Sequence, residues 1–368
     1  MLQTLKIQNF KNIKNLDFPE LATINLITGK NNTSKTSLLE AIAILASNAD
    51  FEFIYSILRE RGELFYSEES TRKINPVKSL SSLFNNRQID NNGLNSIFIG
   101  DEINYLRLEF IRYIEEIDDD NENNVILRKY RTKIPKKAIV PNTLLGLEIA
   151  LGKDKTIFSI KEIEPHSMRS FTFLDMVSVI DFQFIKPIAH EEDSNANLWD
   201  NITLSEKEAY VIEALQIIEP NLEKIAFVKA ENSTNGRKAA AKLKGVSERI
   251  SLQSMGDGIN RILTIILGLV NSENGYCLID EFENGLHYSV QEKLWEIVFK
   301  LATKLNVQVF ATTHSNDCIN SFSEVINANN NQNLGKLFRL DRVKDEIKLE
   351  TYDSKDLKIA TENNIETR

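Results

Sequence analysis

The sequence predicts an α/β protein built on a parallel sheet, with a β-rich lobe inserted in its first half. Three observations carry this. A loop rich in Gly, Asn and Lys sits between an apolar strand and an apolar helix near the N-terminus. Toward the other end, apolar runs of strand length alternate with helical patterns, the rhythm of βαβ units. Between these regions, short stretches of strand-like character follow one another.

In chain order, Leu2 to Phe10 and Ile13 to Phe18 alternate apolar and polar residues and predict a hairpin. Ile24 to Thr28 is an apolar strand, and Leu38, Leu39, Ala41, Ile42 and Leu45 follow at helical spacing. Strands are expected at Ser96 to Gly100, Tyr105 to Ile117, Val125 to Thr132, Leu144 to Gly152, Thr156 to Ile160 and Phe171 to Pro187, forming a mainly antiparallel lobe. The acidic run Glu115 to Glu122 reads as a solvated turn between two of them, since a loose acidic loop lacks the ordered ligand spacing of a metal site.

A helix from Ser205 to Ile218 ends at Pro220, and turn residues Asn232 to Gly236 predict a second hairpin. Met255 to Val270 is apolar nearly all round, so that helix is expected to be buried. Then come strand Tyr276 to Ile279, a helix with Val290, Leu294, Ile297, Val298, Leu301 and Leu305 on one face, and strand Val307 to Thr312. Lys336 to Asp341 and Glu346 to Tyr352 read as a strand pair, and Ser354 to Glu362 as a short helix. The parallel sheet is therefore expected to draw strands from both ends of the chain. The expected parts are residues 1–75 and 191–345 for the two pieces of the α/β unit, 76–190 for the inserted lobe and 346–368 for a terminal strand and helix.

With 368 residues, 42% apolar and 26% charged, the chain has the composition of a folded protein. No apolar run approaches the ~20 residues that cross a bilayer, and the first residues lack a signal-peptide pattern, so a cytoplasmic protein without a membrane role is expected. Cys277 and Cys318 are the two cysteines, which excludes a disulfide framework and predicts buried thiols. A net charge of −9 argues against a protein that coats nucleic acid unaided, while leaving room for a local basic patch. No heptad pattern of coiled-coil length occurs.

The loop Gly29-Lys30-Asn31-Asn32-Thr33-Ser34-Lys35-Thr36-Ser37 has the strand-to-helix setting of a phosphate-binding loop. Backbone N–H groups at the new helix start would face phosphates, Lys35 would reach the β- and γ-phosphates, and the Thr36 hydroxyl would bind Mg²⁺. Ser34 stands where the pattern G-x-x-x-x-G-K-[ST] has glycine, and a positive φ there would strain it. Cys277-Leu278-Ile279-Asp280-Glu281 is a strand ending in two carboxylates, suited to Mg²⁺ through Asp280 and to polarising water through Glu281, though two acids also suit a plain turn. Ala311-Thr312-Thr313-His314-Ser315 would bring His314 to the same carboxyl edge. Ser254, Gly256 and Gly258, before the buried helix, form a second anion-binding helix start or an ordinary cap.

The order of these four motifs resembles the ABC-type ATPase head: Walker A, signature loop, Walker B with its glutamate, and switch histidine. Asp280 to His287 followed by Ala311 to Ser315 is similar to the ATPase part of the OLD (overcoming lysogenization defect) family, whose relatives occur in prokaryotic defence systems such as Gabija, Septu and PARIS. By motif, the resemblance covers about residues 1–45 and 245–325. It implies a P-loop NTPase fold of ABC type, with the β-rich lobe inserted between Walker A and the signature, ATP and Mg²⁺ as ligands, and slow hydrolysis with Glu281 and His314 as catalytic residues. It also implies a homodimer or higher homo-oligomer in which Ser254, Gly256 and Gly258 of one head meet the ATP of the other. Asn284, Gly285, Leu286 and His287 would be the D-loop, and Gln88 and Gln183 are candidates for the glutamine that senses γ-phosphate.

Full OLD proteins append a Toprim nuclease, for which the 53 residues after Ser315 are too short. The expected role is an ATPase subunit that regulates a separately encoded protein effector, such as a nuclease. Two other roles fit the motifs: a RecF-like head that engages DNA, and a nucleotide-gated scaffold with little turnover.

Overall fold

The computed structural model of the chain describes residues 1–67, 70–89, 96–118, 128–135, 138–164, 180–187, 191–229, 236–328, 331–344, 346–363 and 365–368. The N-terminal segment forms the expected hairpin, β1 (Leu5–Phe10) and β2 (Ile13–Phe18), because Leu5, Ile7, Ile13, Leu16 and Phe18 turn one apolar face inward. Five strands of the insertion follow: β6 (Ile97–Gly100), β7 (Tyr105–Asp118), β8 (Arg128–Lys133), β9 (Leu144–Leu151) and β10 (Asp154–Ser159). They pair antiparallel in the order β10-β9-β7-β6-β1-β2, with β8 on β7. The N-terminal hairpin thus completes the sheet of the inserted lobe.

The second sheet holds β3 (Ile24–Thr28), β11 (Phe182–Ile185), β15 (Tyr276–Ile279), β16 (Gln308–Thr312), β17 (Gly335–Val343) and β18 (Glu346–Tyr352). Its order is β11-β15-β16-β3-β17-β18, parallel as far as β17 and antiparallel at β18. Every residue of β3 is buried, as expected for a parallel strand covered on both faces. Within it, Asn25 is a buried polar residue whose amide satisfies its groups on Ala22 and on the Val309 carbonyl.

The stretch Phe171 to Pro187, expected as the last strand of the lobe, contributes β11 to this second sheet instead, paired in parallel with β15; residues 171–179 lie outside the described residues. So do 125–127, the 119–122 part of the acidic run, and 232–235 of the second expected turn. The strands flanking that turn are present: β12 (Leu222–Lys229), β13 (Arg237–Leu243) and, beside them, β14 (Ile250–Ser251). β4 (Tyr66–Ser67) and β5 (Ser70–Ile74) make a small ladder.

Helices pack on both faces of the parallel sheet. α1 (Lys35–Ala46) is buried at every position but Thr36, whereas α2 (Phe51–Glu60) buries one face and starts at Asp50, whose carboxylate accepts the Phe53 N–H at 2.7 Å. α3 (Pro76–Ser81) and α4 (Glu191–Ile202) precede α5 (Lys207–Ile218), α6 (Asp257–Val270), α7 (Tyr288–Lys304), α8 (Asn316–Asn327) and α9 (Ser354–Glu362). Trp295 of α7 is fully buried and stacks on Phe282 with ring centroids 3.9 Å apart, which locks α7 against the end of β15. Cys277 and Cys318 are free and buried, and burial pushes both thiols up, as expected for inert core residues. Among the described residues no helix is long and apolar enough to cross a membrane.

Candidate functional site

The carboxyl ends of β3, β15 and β16 converge, and there the loop after β3 wraps into α1. Gly29 has φ 143°, and a Cβ at that position would come within 2.3 Å of the Leu340 carbonyl oxygen on β17, so only glycine fits. The Thr33 hydroxyl closes the loop on the Lys30 carbonyl at 2.8 Å. Asn32 and Ser34 both take left-handed backbone, with Ser34 at φ 69° and ψ 24°. The position does demand positive φ, and serine bears a cost of about 1–2 kcal/mol there relative to glycine. Its Oγ is buried with no hydrogen-bond partner among the described residues.

Lys35, 6% exposed, donates to the Gly29 carbonyl at 2.6 Å and the Lys30 carbonyl at 3.0 Å. Burial pulls its ammonium down to about 8, against the opposing pull of Asp280, Glu283 and Glu281. Next to it, the Thr36 hydroxyl donates to Asp280 Oδ2 at 2.9 Å, and Thr312 at the end of β16 donates to Asp280 Oδ1 at 2.6 Å. The Thr312 oxygen in turn accepts the Glu281 N–H at 2.9 Å. Asp280 thereby joins the ends of β15 and β16 to the start of α1 with its two oxygens. Glu281 follows at φ 51°, turning the chain so that its half-buried side chain leaves the strand line.

His314 is half-buried, and its N–H donates to Glu283 Oε1 at 2.8 Å. Desolvation first and the Lys35 charge second hold its imidazole below the usual histidine range, with the three acids opposing, which favours the neutral ring. Arg261 of α6 is buried and bonds the carbonyls of Lys186, Asp280 and Glu281 at 2.8, 2.9 and 3.2 Å. It ties α6 to the segments that follow β11 and β15.

The remaining expected site residues lie around this network. Ser254 donates its hydroxyl to Ser251, Gly256 takes φ 119°, and neither they nor Gly258 hydrogen-bond to the P-loop among the described residues. A Cβ on Gly258 would lie 3.1 Å from the Gly285 carbonyl, so the start of α6 packs against Asn284 to His287 of its own chain. There Asn284 anchors on the Pro187 carbonyl at 2.8 Å, Gly285 takes φ 74°, the Leu286 N–H bonds the Glu283 carbonyl, and exposed His287 caps α7. Gln183 lies within β11 level with Cys277, three residues short of Asp280, and Gln88 follows a short turn at Asn85–Arg87.

Residue types alone did not mark Arg261, Thr312 or Glu283; an Arg inside an otherwise apolar helix was the one available signal. The C-terminal segment was also missed. Its Glu366 lies 3.7 Å from Lys30 and its Arg368 donates to the His314 carbonyl at 3.3 Å, both beside the loop.

Thr36 and Asp280 offer hard oxygen donors side by side, a set that fits Mg²⁺, and the α1 N-terminus with Lys35 fits a polyphosphate. The molecule is similar to the crystal structure of the Smc head bound to the C-winged helix domain of ScpA, with TM-score 0.51 and 11% identity over 96% of this chain and 98% of that one. This is the fold of an ABC-type P-loop ATPase head. Residues 180–319 of the head match the model of the AAA ATPase domain. An ATP/GTP phosphatase of Helicobacter pylori is 25% identical over 389 residues, covering 99% of this chain and 98% of that protein. The DNA replication and repair protein RecF of Saccharophagus degradans is 46% identical over 50 residues, 14% of either chain.

Proposed function

We propose that the chain binds ATP with Mg²⁺ and hydrolyses it, working as a pair of heads that close around nucleotide. The observation that carries this reading is the Asp280 carboxylate held between the hydroxyls of Thr36 and Thr312, with Lys35 beside it. A chain that needed only a turn here would have no reason to gather a buried ammonium, a buried carboxylate and two hydroxyls at one sheet edge.

In this reading the N–H groups from Gly29 to Ser37 cradle the phosphates, Lys35 pairs with them, and Thr36 and Asp280 hold the metal. Mg²⁺ supplies charge neutralisation to the phosphates when bound. Glu281 orients and polarises the attacking water, and neutral His314 hydrogen-bonds toward the γ-phosphate end. Ser254, Gly256 and Gly258 act on the partner head's nucleotide; their separation from their own P-loop supports that role, and their packing on Asn284 to His287 supports a shared pairing surface. The order of motifs supports an OLD-like head whose ATP-driven closure regulates a separately encoded effector in the cytoplasm.

Glu281→Gln tests the core of this. Phosphate release is expected to stop while ATP binding persists, and the variant should accumulate as a dimer in ATP during size-exclusion chromatography. Turnover unchanged by the substitution would remove Glu281 from its role. The effector is sought among proteins that co-purify with the trapped variant from its host only when ATP is present.

A further inference from the structure

The net charge of −9 conceals a local reversal. Residues 222–249 carry seven Lys and Arg against three Asp and Glu, and they supply β12, β13 and the approach to β14. One face of this small sheet is covered: Ile225 and Ala241 are buried register partners, and Phe227 meets Trp199 of α4. The other face sets Lys224 directly opposite Lys242 and Lys238 opposite Val228. Exposed Lys244 and Arg249 follow on the path to β14.

Like charges directly opposite across a strand pair are destabilising. Lys242 finds some relief by donating to the carbonyls of Val246 and Ser247. Lys224, Lys244 and Arg249 are exposed and form no ion pair among the described residues. A polyanion laid across the face removes this repulsion.

We propose that this basic strip binds the phosphate backbone of nucleic acid. The makeup of the face decides between nucleic acid and an acidic protein. Between the cations lie Ala226, Val228, Ser251 and buried Ala240, with exposed Glu248 beside Arg249 and no aromatic side chain, so the apolar centre of a protein interface is missing. A phosphate backbone needs only the cations. β14 ends at Ser251, three residues before Ser254, so a bound strand would lie at the edge of the signature segment. The strip owes nothing to ATP hydrolysis, and either reading can fail without the other.

The test is fluorescence anisotropy of the full chain, without nucleotide, against a labelled duplex and a labelled single strand of about 30 nucleotides over roughly 50 to 300 mM NaCl. Binding is expected to weaken with a log–log salt slope of about −3 or steeper, from some four neutralised phosphates. A triple variant, Lys224→Ala with Lys244→Ala and Arg249→Ala, should lose about tenfold or more in affinity and flatten the slope by two to three, with melting temperature and phosphate release unchanged. Absence of binding to both probes at low salt overturns the proposal. So does a triple variant that binds as tightly as the parent, or one that alters only self-association.

Discussion

Glu283 holds two loops with one residue: its Oε1 accepts the His314 N–H at 2.8 Å, and its backbone carbonyl accepts the Leu286 N–H at 2.9 Å. Oε2 is buried with no hydrogen-bond partner among the described residues. The loop of His314 and the turn of Asn284 to Leu286 are thus fastened to a common point. Glu283→Ala is expected to lower kcat about 10- to 100-fold, the worth of one hydrogen bond to a charged group, with little change in KM. Glu283→Gln keeps an acceptor and should retain most of the rate. Steady-state phosphate release against ATP concentration separates the two; equal losses in both variants would show that the charge, not the anchor, matters.

Lys35 gives nucleotide binding a pH dependence. Its folded value of about 8 lies below the unfolded value near 10.5, so between these the unfolded chain holds more protons. The apo-protein's stability should rise with pH through that window, while ATP affinity falls from about pH 8 upward as the amine loses the charge that pairs with phosphate. Lys35→Met should flatten both trends. Thermal melts and nucleotide titrations from pH 7 to 10.5 check the signs.

Asp280→Asn removes a charge and replaces an accepting oxygen between Thr36 and Thr312 by a donor. ATP affinity in Mg²⁺ is expected to fall about tenfold or more, ~1.4 kcal/mol, toward the value in excess chelator. In the parent, chelator should weaken binding; in the variant, it should make little difference. Titration of a fluorescent ATP analogue in both buffers measures this.

Ser34 can be relieved. Glycine removes about 1–2 kcal/mol of left-handed strain but loses roughly 0.5–1 kcal/mol through its freer unfolded chain. Ser34→Gly should therefore raise stability by up to about 1.5 kcal/mol, a few degrees at most in Tm. A β-branched residue, as in Ser34→Val, should lower it. Differential scanning calorimetry of the apo-protein gives the order.

The sequence displayed the site better than it displayed the frame. Ile24 to Thr28 and Tyr276 to Ile279 are short apolar runs bounded by polar motifs, so their strand character and carboxyl-end chemistry were readable, and Lys35, Thr36, Asp280 and His314 do meet at one edge. Membership of β11 was not readable. The four residues Phe182–Ile185 look alike in either sheet, and only pairing with Tyr276 to Ile279, some 94 positions away, settles it. Phe51 to Leu58 is aromatic and β-branched, a composition that speaks for a strand, yet Asp50 caps it as a helix. Arg261 is plain in the sequence, but its targets are main-chain carbonyls, which leave no mark in residue types.

β3 lies between β16 and β17, with Ile24 in register with both Val309 and Gly335. On the ribosome, the segment carrying the P-loop emerges with no neighbour to receive it. At 5–20 residues per second its two flanking strands arrive on the order of half a minute later. Until then the apolar runs of β3 and α1 are clients for chaperones and hazards for aggregation. A translation product cut short before β17 carries the whole loop in its sequence but lacks the strand against which Gly29 packs.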